Sequence, residues 1–171
     1  MKTLLLLRHA KSSWTDPQLN DFDRPLARRG RIAASAVGRY LAEAGLVPDL
    51  IICSAAQRTR ETLALLLPSL PGEMRVEVET GLYEADPQDI LDRVQRIADG
   101  VERVLVVGHN PGMEQLADEL TASGDESARS RMAEKFPTAA LAVITFDAKR
   151  WADVRPGTGT LRRFVVQPRS D

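Results

Sequence analysis

The sequence predicts an α/β fold, a three-layer α/β/α sandwich around a mainly parallel central sheet. Three observations lead there. Short, unbroken apolar runs occur at residues 3–7 (TLLLL), 50–53 (LIIC) and 104–107 (VLVV), as in strands covered on both faces. Segments with helical spacing separate them. The resulting alternation of strand and helix suits parallel strands joined by crossover helices.

The elements follow in chain order. Residues 3–7 form the first strand. Ala33, Val37, Tyr40, Leu41 and Ala44 recur at steps of three and four and mark one helix face. Pro25 precedes that helix and Gly45 follows it, as a start and a stop. After the strand at 50–53, residues 57–67 read as a second helix, ended by Pro68. Residues 75–79 alternate and read as a strand. Asp86-Pro87 opens a third helix, with an N-cap followed by proline at the first helical position. Asn110-Pro111 opens a fourth in the same way after the strand at 104–107. Residues 123–135 are polar and weakly patterned, which predicts a loop holding at most one helix and leaves its order open. Residues 139–146 and 161–166 are rich in apolar and β-branched side chains and read as later strands, with Gly157-Thr158-Gly159 as the turn before the last.

Composition narrows the function. The 171 residues fit one domain spanning 1–171, and 43% apolar content supplies a core. Against 24 acidic residues stand 23 basic ones, a net charge of -1, so the basic surplus of a nucleic-acid binder is missing. Cys53 is the sole cysteine, which rules out an internal disulfide and fits a reducing compartment. The N-terminal run of four leucines is too short for a signal-peptide core or a membrane span. The expectation is a soluble, cytoplasmic protein.

Ligands of open α/β sheets bind beyond the carboxyl ends of the strands. Arg8 and His9 follow the first run, Ser54 and Arg58 the second, and Gly108, His109 and Asn110 the run at 104–107. Glu84 follows the strand at 75–79. Two arginines, both histidines of the chain and a glutamate would thus meet on one rim. Guanidinium forks match phosphate oxygens and stay charged at ordinary pH. The opening turns of the helices near Ser54 and Asn110 favour anions. A neutral imidazole can attack phosphorus, and a second, if protonated, can hold the equatorial oxygens. Glu84 can protonate a leaving group if its pocket keeps a proton on it, or it is an ordinary loop carboxylate. Arg24 and Arg29 read as structural or rim charges, and Trp14 either walls the pocket or packs.

At these residues the chain resembles the histidine phosphatase superfamily, which includes cofactor-dependent phosphoglycerate mutases. Leu7-Arg8-His9-Ala10 is similar to its L-R-H-G/A signature. Leu6 through Trp14 resembles the SixA branch of phosphohistidine phosphatases more narrowly, as do Asp23-Arg24-Pro25-Leu26 and Arg29-Gly30. The segment from Ser54 to Thr62 resembles the family's S-x-x-x-R-x-x-x-T element, and Val107-Gly108-His109-Asn110-Pro111-Gly112 its second-histidine element. The resemblance spans most of the chain and implies a phosphoglycerate mutase-like fold. It implies that His9 is the phosphorylated nucleophile and that Arg8, Arg58 and His109 bind the phosphoryl group; Asn110, next to His109, is a further candidate for binding substrate. Glu84 stands where mutase-like members carry an acid, without the glycine-rich context that usually follows. Thr15 stands where many mutases have asparagine, which departs from the mutase pattern. No metal or cofactor is implied. The implied substrate is phosphohistidine on a phosphotransfer protein, with a small phosphoester as runner-up, and a phosphate ion should fit the pocket. The short chain should leave the site open, as a protein-borne phosphoryl group requires.

Rival chemistries fit less well. A cysteine-dependent phosphatase needs five residues between cysteine and arginine, whereas four separate Cys53 from Arg58. Cys53 also closes an apolar run and reads as buried and structural. Asp21-Phe22-Asp23 has the letters of a D-x-D nucleophile motif but lies in a polar loop beyond the first strand. A G-x-x-x-x-G-K-[ST] loop is absent, and two isolated histidines lack metal-site spacing. A non-catalytic module that binds a phosphorylated partner is the reading from another class, though all four central residues are present.

Overall fold

The first strand, β1 (Lys2–Arg8), lies at the centre of a seven-stranded sheet in a computed structural model that describes residues 1–167. Residues 168–171 of the expected domain lie outside the described residues. The other strands are β2 (Leu50–Ser54), β3 (Arg75–Glu79), β4 (Arg103–Gly108), β5 (Thr121–Gly124), β6 (Leu141–Phe146) and β7 (Gly159–Val165), in the order β3-β2-β4-β1-β6-β7-β5. The ladders β3–β2, β2–β4, β4–β1 and β7–β5 are parallel, while β6 runs antiparallel to both β1 and β7. The sheet is mainly parallel, as expected, and β6 is its one reversed strand among the described residues.

The leucine run explains why β1 is central. Alternate side chains of a strand point to opposite faces. Leu4 and Leu6 enter one core cluster with Val104 and Val106, and Leu5 and Leu7 enter the other with Leu105 and Val107. Each face needs a cover, and helices supply it. Helices α1 (Arg28–Glu43) and α2 (Gln57–Leu66) bury Val37, Leu41, Leu63 and Leu66 on the second face. Helices α3 (Pro87–Gln95), α4 (Gly112–Leu120) and α5 (Glu126–Glu134) bury Ile90, Val94, Leu116 and Met132 on the first. These are the three expected layers. At about 25 cal/mol per Å² of apolar area, two clusters of this size are the main favourable contribution to folding.

Local signals act as their chemistry suggests in most places. Asp86 caps α3 by accepting from the Asp89 backbone N–H at 2.9 Å, and the Asp89 side chain accepts from the Asp86 N–H. Gly45 ends α1 at φ 67, a conformation that costs other residues about 1 kcal/mol. A short 3-10 turn, Leu67–Ser69, takes over where Pro68 ends α2. Two expectations need correction. Residues 123–135 hold more than a loop with one helix: the end of β5 pairs with β7, and α5 follows, capped by Asp125, whose carboxylate accepts from the Ala128 N–H at 2.8 Å. The polar face of α5 is simply solvated. Asn110 does not cap α4; Pro111 is the cap residue and Gly112 the first helical one. The Asn110 side chain is used elsewhere, in the site described below. The helix after Pro25 starts at Arg28, as expected beyond the proline, and an isolated bridge between Ser12 and Leu26 precedes it.

Gly30 brings α1 against the loop that follows β1. A methyl group there would overlap the Lys11 carbonyl. Gly30→Ala is expected to destabilise the protein by about 2 kcal/mol through overpacking against backbone, read as a lower urea midpoint at unchanged m-value.

Candidate active site

Register explains why distant residues meet. Leu7 pairs with Val107, and Val107 with Cys53, in parallel ladders, so Arg8, Gly108 and Ser54 fall in the next row. One residue further, beyond the sheet, come His9 and His109. Their ring centroids are 5.3 Å apart, and each residue is over 90% buried.

The His9 ring is fixed in one tautomer. Its Nδ1 lies 2.7 Å from the Ala10 carbonyl, which can only accept, so Nδ1 carries the proton. Nε2 is then a bare lone pair, and the Arg58 Nε–H points at it from 3.4 Å. Arg58 is on the first turn of α2. Four residues on, and so on the same helix face, Thr62 donates to the Arg58 carbonyl at 2.7 Å and accepts from the Ala10 N–H at 3.1 Å. Arg58 and the loop that carries His9 are thereby tied to one helix. From behind, the Ala139 N–H reaches the carbonyls of Arg8 and His9 at 3.1 and 3.0 Å.

Arg8 donates through Nη1 to the Phe136 carbonyl at 3.1 Å, and Asn110 Nδ2 donates to the same oxygen at 2.8 Å. Arg8 Nε, Asn110 Oδ1 and His109 Nδ1 are buried without a partner among the described residues. His109 Nε2 lies 2.8 Å from the Ser54 hydroxyl.

Tertiary structure adds residues that local patterning does not single out. Asp21, in a 3-10 turn (Asp21–Asp23), accepts from Arg58 twice: Nη1 reaches its carbonyl at 2.7 Å and Nη2 its carboxylate at 3.0 Å. The same carboxylate accepts from Tyr83 Oη at 2.6 Å and Arg24 Nε at 3.1 Å. Asp21 is more than a loop aspartate. Its place three residues before Arg24 is the one sequence hint. Tyr83 packs edge-on against His109 with centroids 5.5 Å apart. Its neighbour Glu84 is exposed at φ 56 and has no side-chain hydrogen bond among the described residues. Arg24 is buried and structural, bonding Ser12 Oγ at 2.9 Å, while Arg29 is exposed. Trp14 is 70% exposed with the Arg24 guanidinium stacked 3.4 Å from its ring centroid. Cys53 is buried and its thiol pushed up to about 12 by desolvation, as an inert core residue should be. A surface cavity of about 420 Å³ lies at the opposite end of β1, against Phe146 and Arg150, away from the histidines.

The electrostatics favour a neutral imidazole pair. Desolvation pulls His9 down to about 3, helped by the charges of Arg58 and Arg8 and by His109. Desolvation and Arg58 pull His109 down to about 4. Hydrogen bonds, the one from Tyr83 foremost, hold Asp21 at about 2. The histidine shifts have a stability consequence. Both folded values lie below the ordinary 6.5, so between them the unfolded chain binds more protons than the folded one. The folded state is unpenalised above pH 6.5 and loses stability as pH falls towards about 4. A loss of roughly 5 kcal/mol is expected in urea titrations over that window, with a shallower slope in His109→Asn.

Among the described residues no helix is long and apolar enough to cross a membrane, and no group of three or more His, Cys, Asp or Glu is placed to hold a metal.

Comparison with known proteins gives four results. Residues 4–97 match the model of the histidine phosphatase superfamily, branch 1. An uncharacterized protein of Mycobacterium tuberculosis is 40% identical over 162 residues, covering 94% of this chain and 99% of its own. The solved structure of a candidate phosphohistidine phosphatase SixA from Nakamurella multipartitia superposes with TM-score 0.84 at 29% identity, over 96% of this chain and 95% of that one. A SixA candidate from Agrobacterium tumefaciens gives 0.80 at 28%, over 97% and 99%.

Proposed function

The chain belongs to the histidine phosphatase superfamily and is a phosphatase of the SixA type; from this we propose that it dephosphorylates phosphohistidine on a phosphotransfer protein through a phosphorylated His9. The observation that carries the reading is the His9 ring itself: Nδ1–H is spent on the Ala10 carbonyl, and Nε2 is neutral, buried and faced by Arg58. A binding module has no need of a poised lone pair.

In the first step the Nε2 lone pair attacks phosphorus. The P–N bond to the substrate imidazole breaks, and that ring leaves with the bonding pair, its other nitrogen carrying a proton from solvent. Arg8, Arg58 and His109 hold the equatorial oxygens, with Asn110 at the edge of the pocket. Water then attacks phosphorus, its proton passes to solvent, and the P–Nε2 pair returns to His9 as phosphate departs. Neither step calls on a metal or cofactor. The domain that does this spans 1–171.

The acid chemistry favours phosphohistidine over an alkyl phosphate. An alkoxide must be protonated as it leaves. The carboxylate bound to Arg58 is Asp21, ionised down to about pH 2 and so without a proton to give. Glu84 points to no partner in the site. An imidazole leaves without a dedicated acid. A small phosphomonoester remains the second reading, since an aryl or otherwise good leaving group would also pass.

The test mixes the protein with a phosphohistidine-bearing phosphotransfer domain in the presence of chelator, beside sugar and nucleotide phosphates. Rapid phosphate release from the domain is expected. Preference for a small metabolite would move the substrate class, and silence on every substrate with phosphate still bound would leave a binding module.

A further inference from the structure

Among the described residues His109 Nδ1 is a buried nitrogen without a hydrogen bond, whereas the other buried polar side chains are largely paired. Such an orphan requires an explanation. Whether it is a donor or a lone pair depends on the proton at the far side of the ring, and there the neighbour is Ser54.

Ser54 is fully buried at the end of β2. Its oxygen accepts from the Ala56 N–H at 3.3 Å, so its own proton needs an acceptor. His109 Nε2, at 2.8 Å, is the acceptor within reach among the described hydrogen bonds. A neutral imidazole has one proton. If Nε2 receives the Ser54 hydrogen bond, that proton sits on Nδ1, and the orphan becomes an N–H donor.

We propose that Ser54 is a positioning residue for the phosphoryl transfer: by donating to His109 Nε2 it places the ring's single proton on Nδ1, which then donates to a phosphoryl oxygen. The inference deepens the reading of His109 as a phosphoryl holder and rests on it. It also replaces an imidazolium with a neutral donor. Around the ring stand Arg58 from α2, Arg8 from β1, Asp21 from the 3-10 turn, and the rings of His9 and Tyr83. With two guanidinium groups near it, the imidazole would gain little by carrying a charge in the resting site.

The arrangement explains why serine stands four residues before Arg58. Both side chains serve the same phosphoryl group, one directly and one through His109. It also explains why the two histidines hold opposite roles with the same tautomer. The bond made by Nδ1 of His9 frees Nε2 as a nucleophile, whereas the bond received by Nε2 of His109 leaves Nδ1 as a donor.

The chain has two histidines, so nitrogen-15 histidine spectra of the resting protein at pH 7.5 are simple to read, with His9→Ala to assign the signals. Both rings are expected as Nδ1–H tautomers. Ser54→Ala should shift His109 towards the Nε2–H form or a mixture and lower kcat roughly 10- to 100-fold. Ser54→Thr, which keeps the hydroxyl, should restore the tautomer and most of the rate. If Ser54→Ala does not fold, the wild-type and Thr spectra still decide. An Nε2–H or doubly protonated His109 in the wild type would overturn the proposal, as would a Ser54→Ala enzyme with unchanged kcat. The tautomer is read without substrate, so failure of the phosphatase reading shows separately, as wild-type protein with the expected spectrum and no turnover.

Discussion

His9→Ala is expected to lower turnover by about 10⁴-fold or more, the scale seen when a nucleophile that acts as part of a unit is removed. No neighbouring group can take over the attack. The other imidazole in the pocket, 5.3 Å away between centroids, has its Nε2 facing Ser54. The Cys53 thiol is buried and held protonated to about pH 12. Asp21 is turned towards two arginines and a tyrosine. The variant should also fail to retain label from a phosphohistidine donor, whereas wild type quenched during turnover should carry an acid-labile phosphoryl group. Folding should survive, because removing a buried imidazole also removes the penalty of keeping it neutral at low pH. Near wild-type turnover in His9→Ala would reject the covalent mechanism.

Arg58→Ala is expected to lower kcat/KM by about 10³-fold. This guanidinium is tied on one side to the Asp21 carbonyl and carboxylate, which keeps its Nε edge aimed at His9 Nε2. It is thus pre-aimed at the charge that develops during attack, and that geometry is the source of the effect. Arg58→Lys should recover little, because one ammonium cannot reach Asp21 and the phosphoryl oxygens with a planar fork. Inhibition by inorganic phosphate offers an independent reading and should weaken along with the rate. In the same variant Asp21 loses a cation and its carboxyl should titrate higher, which carbon-13 carboxyl shifts can follow. Retained phosphate inhibition together with a retained rate would place Arg58 outside the site.

Much of this molecule can be read residue by residue along the chain. Leu4 to Leu7 announce a strand covered on both sides, because every position is apolar and a strand shows alternate residues to opposite faces. Asp86-Pro87 announces a helix start, because a cap involves only the next few backbone N–H groups. Residues 121–124 gave no such signal: Thr-Ala-Ser-Gly has little apolar content, and its strand exists because β7 offers a partner. Asn110 misled for a related reason. A cap residue by type, it instead donates to a carbonyl 26 positions away.

The sequence by itself determined the layer order, the rim on which Arg8, His9, Arg58 and His109 meet, and the family they mark, because each depends on spacing within a strand, a turn or one helix. Only the tertiary structure decided which carboxylate reaches Arg58. It set Asp21 against Arg58 across 37 positions and against Tyr83 across 62, and left Glu84 exposed. It likewise set Ser54 against His109 across 55 positions and the Phe136 carbonyl against Arg8 across 128. Such pairs form when crossover helices and strand register bring separate loops together. Hydrogen bonds are satisfied by whatever donor or acceptor the packed backbone delivers, and no local pattern in the chain encodes that delivery.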